Sequence, residues 1–167
     1  MNILITGATS GIGYQLAVDY HRDGHEVWAV GRNQGVLDDL DKAGLHTICV
    51  DLTDREQSLE KFKSLDELDL AILNAGSCEY MDLPVFDSEL FSRVMRINVE
   101  SMAISIEGVL PLLRKGKGRH LVAVGSSASF LPLPRAEAYG ASKAAIKYLT
   151  DTLRVDLYPE DIFVSLV

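Results

Sequence analysis

Cysteine is scarce in this chain, with two residues among 167. Cys49 and Cys78 share no spacing typical of a metal site or a redox pair. The sequence therefore has no disulfide framework, and two isolated thiols favour a reducing compartment. The N-terminus also lacks the basic segment of a signal peptide, since residues 2–5 lead directly into a glycine turn. We accordingly expect a cytoplasmic protein.

Basic residues are also few, and long apolar runs are absent. The chain has 16 Lys and Arg against 24 Asp and Glu, for a net charge of −8. That balance argues against a nucleic-acid surface and against an anionic membrane as partner. No apolar run approaches the length of a membrane span. The one basic cluster, Arg114 to His120, is broken by glycines, and we interpret it as a solvated loop.

Apolar strand and helix patterns alternate along the whole chain, without repeats. Strands are predicted at 2–6, 25–31, 46–51, 68–74, 119–126 and 162–167. Helices are predicted at 11–22, 33–42, 54–64, 87–113 and 137–158, with Thr53 as the cap of the third helix. This alternation predicts an α/β protein with a doubly wound parallel sheet between two helix layers. Ligands of such sheets bind outside the carboxyl ends of the strands.

A glycine-rich turn, "TGATSGIG" from Thr6 to Gly13, follows the first predicted strand. Its spacing is G-x-x-x-G-x-G. Gly7 permits a sharp turn, and Gly11 and Gly13 let a pyrophosphate and the sheet approach the backbone. The helix N-terminus that follows favours an anion. The turn therefore predicts a nucleotide site, although a tight strand-to-helix turn without a ligand is the alternative.

The stretch "YGASK" places Tyr139 and Lys143 four residues apart at the start of a predicted helix. Residues at this spacing share a helix face, with Cβ atoms roughly 5–6 Å apart. A free phenol is a reluctant base near neutrality because it keeps its proton up to about pH 10. A neighbouring ammonium favours the phenolate. The pair predicts an acid/base group, and an aromatic on one face of an amphipathic helix is the alternative.

The chain resembles the short-chain dehydrogenase/reductase family over its whole length. Six segments match the family's motifs in order: "TGATSGIG", "DLTD" at 51–54, "LNAG" at 73–76, Asn98 in "RINVES", "GSSAS" at 125–129, and "YGASK". The glycine spacing is similar to that of the family's shorter-chain oxidoreductase branch and differs from that of the extended branch. The resemblance implies a Rossmann-like fold and a nicotinamide cofactor.

The resemblance also implies the catalytic residues Asn98, Ser126, Tyr139 and Lys143. Ser126 is preferred to Ser127 and Ser129 because it lies thirteen positions before Tyr139. Its hydroxyl group would position the substrate oxygen, and Tyr139 would exchange the proton. Asn98 would hold a water that connects Lys143 to solvent; a polar residue at a helix kink is the alternative. The four histidines share no spacing, and no metal role is assigned to them.

The predicted cofactor contacts combine the glycine turn with the ends of strands two, three and four. They are Gly7, Thr9, Ser10, Gly11, Ile12, Gly13, Arg32, Asn33, Asp51, Leu52, Asn74, Ala75, Gly76, Tyr139 and Lys143. Strand two ends at Gly31 without the acidic residue that binds the ribose hydroxyls of NAD. Arg32 can bind a 2′-phosphate, so we expect NADP(H) to be preferred over NAD(H). Stacking of Arg32 on the adenine with either cofactor is the alternative. We expect Gly31→Asp to reverse or erase the preference.

The resemblance further implies a small alcohol or carbonyl substrate and a homodimer or homotetramer through the helices at 87–113 and 137–158. Family members continue past the sixth strand, so the C-terminal strand and substrate loop are expected in a longer native protein. The apolar run around Phe130 is either a wall of the substrate region or ordinary loop packing. Two other functions stay open: a non-catalytic dinucleotide-binding regulatory or scaffold protein, and an isomerase that uses the same cofactor.

Overall fold

Six parallel strands form the centre of the protein in the computed structural model, which describes all residues from 1 to 167. The strands are β1 (Asn2–Thr6), β2 (Glu26–Gly31), β3 (His46–Cys49), β4 (Leu70–Leu73), β5 (His120–Ala123) and β6 (Phe163–Leu166). Their order in the sheet is β3-β2-β1-β4-β5-β6. The direction of winding reverses between β1 and β4. The carboxyl ends of these two strands therefore border the crevice in which such folds bind ligands.

Helices connect the strands. They are α1 (Gly11–Arg22), α2 (Gln34–Lys42), α3 (Arg55–Phe62), α4 (Ser88–Met95), α5 (Ser101–Leu113) and α6 (Glu137–Asp156). Two short 3₁₀ turns flank α6 in the sequence, Ser127–Ser129 before it and Tyr158–Glu160 after it. None of the helices combines the length and the apolarity needed to cross a membrane. The predicted α/β fold with a doubly wound, Rossmann-like parallel sheet is confirmed.

The strands are buried on both faces, and their side chains alternate between two cores. Along β1, Ile3 and Ile5 pack in a core of 11 residues that includes α1 and α2. Leu4, between them, faces the other core of 21 residues, which α3, α5 and α6 cover. This period-2 alternation with apolar residues on both faces explains why the strands appear as continuous apolar runs.

Two details of the helices differ from the prediction. The cap of α3 is Asp54, whose carboxylate accepts the backbone N–H of Gln57 at 3.0 Å. Thr53 instead donates to Asp51. The segment predicted as one helix at 87–113 is interrupted by a π-helical turn at Arg96–Glu100. Such turns arise where one extra residue is accommodated in a helix, often at a functional site.

At the amino-terminal edge of the sheet, one carboxylate connects the start of β1 to the loop before β5. Asp69 accepts backbone N–H groups from Asn2 at 2.8 Å, Lys117 at 2.9 Å and Gly118 at 3.0 Å. These hydrogen bonds, that of Asn2 foremost, hold the pKa of Asp69 below its ordinary value. The basic loop at 114–120 is thus tied to the sheet. A Cβ at Gly116 would lie 1.8 Å from the carbonyl oxygen of Leu68, so this loop packs closely there.

We expect Asp69→Asn to lower the free energy of unfolding at neutral pH by about 1–3 kcal/mol, because charge-assisted hydrogen bonds are weakened. Since the folded-state pKa is depressed, the contribution of Asp69 is present above about pH 4 and is lost as the pH falls through the folded-state value. Urea unfolding between pH 7 and pH 2 measures this: the variant should lose less stability on acidification. Asp66→Asn, at an exposed carboxylate nearby, is the control. Parallel curves for wild type and Asp69→Asn would contradict the assignment.

Candidate active site

The turns after β1 and β4 are held together by a buried threonine. The Thr6 hydroxyl oxygen accepts the backbone N–H groups of Asn74 at 3.0 Å and Ala75 at 3.1 Å. The Asn74 side chain returns a hydrogen bond to the Thr6 carbonyl oxygen at 3.1 Å. Thr6 is 1% exposed, so its polar atoms need these partners. The glycine turn and the "LNAG" turn therefore meet in a fixed arrangement at the crevice.

The three glycines of the first turn have different surroundings. Gly7 has φ +67°, and a Cβ there would lie 2.9 Å from the Cα of Ala75. A Cβ on Gly13 would lie 2.4 Å from the carbonyl oxygen of Gly7, so Gly13 allows α1 to pack on the turn. Gly11 has φ +53° and faces open space. Gly11 is thus the glycine at which a ligand can approach the backbone.

A cleft of about 470 Å³ lies along the carboxyl edge of the sheet. Eleven of the fifteen predicted cofactor contacts line it; the other four, Gly13, Asn33, Tyr139 and Lys143, do not. Gly13 is buried against the turn, and the Asn33 side chain accepts the backbone N–H of Val36 as the cap of α2. The cleft also has lining residues that were not predicted as cofactor contacts: Val50, Thr53, Ser77, Ile97 and Ser101.

Arg32 and Asp51 face each other at the rim of the cleft. Their Nη1 and Oδ2 atoms are 3.6 Å apart, and both side chains are largely exposed. Asp51 is oriented mainly by Thr53, whose backbone N–H and hydroxyl group donate to its Oδ1 at 2.9 and 2.8 Å. The Thr53 backbone hydrogen bond is the largest cause that lowers the pKa of Asp51; Arg32 contributes less. An exposed pair of this kind is worth at most about 1 kcal/mol, so Arg32 can exchange partners.

Gly31, at the end of β2, is packed against the glycine turn. A Cβ at this position would lie 2.5 Å from the Cγ2 of Thr9 and 3.0 Å from its Oγ1. A side chain at position 31 would therefore displace Thr9. The substitution Gly31→Asp thus changes the shape of the cleft together with its charge, and it does not test the role of charge alone.

The three serines after β5 have distinct hydrogen bonds. The Ser126 hydroxyl oxygen accepts the backbone N–H of Ala128 at 3.1 Å, which leaves its O–H free to donate. Ser129 donates to the backbone carbonyl oxygen of Lys143 at 3.0 Å. Ser127 is exposed. Ser126 is thus the serine at the strand end whose proton is not used within the chain.

Tyr139 and Lys143 lie side by side at the start of α6. The Lys143 Nζ is 5.8 Å from the centre of the Tyr139 ring. It donates to the carbonyl oxygen of Val124 at 2.8 Å, which uses one of its three N–H groups. Lys143 is 5% exposed, and its burial lowers its pKa because desolvation disfavours the ammonium. The backbone carbonyl oxygen of Tyr139 accepts the Ser142 hydroxyl group at 2.7 Å.

Asn98 connects the π-helical turn to two other elements of the site. Its Oδ1 accepts the backbone N–H of Ser77 at 2.7 Å, and its Nδ2 donates to the Ser77 carbonyl oxygen at 2.9 Å. Nδ2 also donates to the Ser142 hydroxyl oxygen at 2.9 Å, and Ser142 donates to the Tyr139 carbonyl oxygen at 2.7 Å. The Asn98 side chain is fully buried. It thereby sets the position of the first turn of α6 relative to the turn after β4.

Three residues of this arrangement were not selected from the sequence. Thr6 and Ser142 lie inside the motifs "TGATSGIG" and "YGASK", and Ser77 directly follows "LNAG". Their positions inside or next to these motifs are the only sequence feature that points to them. Their partners lie 68, 44 and 21 residues away along the chain, which no local pattern indicates.

The sheet order, the glycine turn after β1 and the cleft beside it define a Rossmann-like α/β protein with its candidate site at the carboxyl edge. The family model described as short chain dehydrogenase matches residues 1–167. The chain belongs to this family.

Two curated relatives illustrate the range of the match. An "uncharacterized oxidoreductase" of Myxococcus xanthus is 35% identical over 164 residues, which cover 92% of this chain and 65% of that protein. The "NADPH-dependent 1-acyldihydroxyacetone phosphate reductase" of Schizosaccharomyces pombe is 36% identical over 173 residues, covering 98% of this chain and 57% of that protein. The chain thus spans less than two thirds of the length of these relatives.

Among solved structures, the "RhlG/NADP active-site complex" of Pseudomonas aeruginosa is similar over 99% of this chain and 70% of its own. Its TM-score is 0.89 and its sequence identity is 27%. The fold of the family is therefore present here from β1 to β6.

We expect Asn98→Ala to lower the free energy of unfolding by about 2–4 kcal/mol, because it leaves buried groups of Ser77 and Ser142 without their partner. Urea unfolding at neutral pH measures the difference. Gln15→Ala removes an exposed amide of α1 and should change stability by about 0.5 kcal/mol or less. Equal losses in the two variants would show that the Asn98 hydrogen bonds contribute little.

Proposed function

We propose that the protein is an NADP(H)-dependent oxidoreductase that transfers hydride between the nicotinamide and the carbon of an alcohol or carbonyl substrate. The observation that carries this proposal is the buried Lys143 ammonium, which lies beside Tyr139 and donates to the Val124 carbonyl oxygen. The Asn98 and Ser142 hydrogen bonds hold the backbone of Tyr139. Membership of the short chain dehydrogenase family supports it.

The residues of the cleft fit a dinucleotide. Gly11 faces open space beside the N-terminus of α1, where free N–H groups favour a pyrophosphate. Ser77 lines the cleft, and its hydroxyl oxygen is buried without a hydrogen-bond partner in the chain. A polar group of a bound cofactor would supply that partner. When bound, the nicotinamide supplies or accepts the hydride.

Tyr139, Ser126 and Lys143 carry the proton chemistry in this proposal. In the reductive direction the carbonyl carbon gains a hydride and the carbonyl oxygen gains the phenolic proton of Tyr139. The Ser126 O–H, free of other acceptors, donates a hydrogen bond to that oxygen and positions it. The Lys143 ammonium stabilises the phenolate that remains, and its charge acts strongly because the side chain is buried. Oxidation of an alcohol reverses these transfers.

Arg32 supports a preference for NADP(H) over NAD(H). The rim of the cleft has no carboxylate at position 31, and the exposed guanidinium of Arg32 can leave Asp51 for a 2′-phosphate. The fission yeast relative is named NADPH-dependent, and the Pseudomonas structure is an NADP complex. Asp51 opposes the preference in part, since its negative charge lies on the same rim.

A homo-oligomer and a cytoplasmic location complete the proposal. Tyr148 and Val155, seven residues apart on α6, are 77% and 72% exposed, so this helix presents two large apolar side chains to a second copy. The free thiols of Cys49 and Cys78 are exposed, in keeping with a reducing compartment. Light scattering of the full-length protein tests the first point, because a monomer would contradict it.

We expect Tyr139→Phe to lower kcat by about 10²- to 10⁴-fold, because the proton donor is lost while the ring is kept. NADPH binding should change little. NADPH oxidation over a panel of aldehydes and ketones measures turnover, and fluorescence titration measures binding. Tyr148→Phe, on the exposed face of the same helix, is the matched control. Undiminished turnover in Tyr139→Phe would exclude the assigned role.

We expect Arg32→Gln to weaken NADPH binding about 10- to 100-fold and to leave NADH binding unchanged, because a charge-assisted pair with the 2′-phosphate is lost. Asp51→Asn should have the opposite effect on NADPH. Titrations at matched ionic strength measure both. Arg22→Gln, which removes a similarly exposed and paired guanidinium of α1, is the control. Equal or tighter binding of NADH by the unmodified protein would contradict the NADP(H) preference.

A further inference from the structure

Two loops at the carboxyl edge of the sheet form one continuous surface. The first, residues 77–87, follows Gly76; the second, residues 127–136, joins Ser126 to the start of α6. The backbone N–H of Met81 donates to the Arg135 carbonyl oxygen at 2.8 Å. The Arg135 guanidinium pairs with Asp82 at 2.6 Å and lies 5.5 Å from the centre of the Tyr80 ring. We call these two loops the mouth, since each begins at a residue of the candidate site.

The mouth is unusually apolar for an exposed surface. It holds 21 of the 167 residues but seven of the fifteen large hydrophobic side chains that are exposed in the whole chain. Besides Tyr80 they are Leu83, Val85, Phe86, Phe130, Leu131 and Leu133. Their exposed fractions lie between 48% and 75%. Seven exposed apolar side chains on two loops that are joined by a backbone hydrogen bond and an ion pair indicate a binding surface.

The charged side chains of the mouth are all engaged within the chain. Glu79 pairs with Arg93 at 2.7 Å, and Asp87 accepts two backbone N–H groups as the cap of α4. Arg135, the only cation of the two loops, pairs with Asp82. The nearby ammonium of Lys147, 5.3 Å from the centre of the Phe130 ring, pairs with Asp151. The two loops hold three carboxylates and one guanidinium, so the mouth offers apolar area and a net negative charge that disfavours an anionic group.

We propose that the mouth selects uncharged carbonyl compounds, and the corresponding alcohols, that carry an extended apolar chain or ring. The assignment of this surface to the substrate rests on the proposed function, because it places the reacting carbon between Ser126, Tyr139 and the cofactor cleft. The apolar part of the substrate then extends outward over Phe130, Leu131 and Leu133 on one side and Leu83 and Phe86 on the other.

The first test measures kcat/KM of the full-length protein with saturating NADPH for the straight-chain 2-alkanones from 2-butanone to 2-decanone. We expect kcat/KM to rise about two- to fourfold per added methylene, the effect of moving it from water into an apolar site. Keto acids of the same lengths, with a terminal carboxylate, should be at least about tenfold poorer. A flat series, or keto acids equal to or better than the ketones, overturns the inference and assigns Arg135 to an anionic substrate.

Variants connect the chain-length dependence to the mouth. Phe130→Ser and Leu133→Ser should flatten the series, because each variant removes apolar area from the surface over which the longer chains extend. Tyr158→Ser, at an equally exposed aromatic position in the 3₁₀ turn after α6, should leave the series as it is. If the two mouth variants change the mass measured by light scattering and leave the series unchanged, the surface is an interface between copies and the inference is wrong.

A binding measurement separates this inference from the proposed function. Calorimetric titration of the protein–NADPH complex with 2-alkanols from 2-butanol to 2-decanol requires no turnover. Affinity that rises with chain length while no ketone is reduced would refute the oxidoreductase and keep the apolar specificity of the mouth. Turnover of ketones without any chain-length dependence of rate or affinity would keep the oxidoreductase and refute the apolar specificity.

Discussion

The arrangement of the candidate site depends on one buried amide, that of Asn98. A primary amide removed from water costs several kcal/mol unless its hydrogen bonds are replaced. Asn98 replaces them on two different elements, the turn after β4 and the first turn of α6. Both must therefore be in place at once for the amide to be satisfied. Asn98 lies in the π-helical turn, which widens the helix at the point where these hydrogen bonds form. The neighbouring Tyr139 and Lys143 are positioned as a consequence.

The two edges of the sheet are built differently. At the amino-terminal edge, the Asp69 carboxylate collects three backbone N–H groups and ties β1, β4 and the loop before β5 together. At the carboxyl edge, Gly11 faces free space, and the buried Ser77 hydroxyl group has no partner within the chain. Exposed ion pairs such as Arg32–Asp51 contribute little there and can rearrange. The amino-terminal edge is thus closed by fixed contacts, whereas the carboxyl edge combines the fixed contacts of Thr6 and Asn98 with an open cleft for ligands.

Much of this could be predicted from the sequence because the signals are local. Parallel strands buried on both faces appear as apolar runs, and all six were found, with ends that differ by up to three residues. Thr53 was wrongly chosen as a cap because Thr and Asp are both good caps, and only the structure shows that Thr53 is used by Asp51. The π-helical turn and the roles of Thr6, Ser77 and Ser142 depend on partners far away in the chain. Eleven of the proposed cofactor contacts share one cleft, as expected if local motifs at strand ends converge.

The contact between Gly31 and Thr9 bears on how the cofactor preference of this protein can change over generations. A carboxylate at position 31 is the simplest route toward NAD in nucleotide folds of this type. Here a side chain at position 31 meets the Thr9 side chain, which must change its rotamer to make room. The effect of a carboxylate at 31 therefore depends on the residue at position 9. The two positions, 22 residues apart, are thus expected to be epistatic, with the same substitution at 31 better tolerated beside a smaller residue at 9.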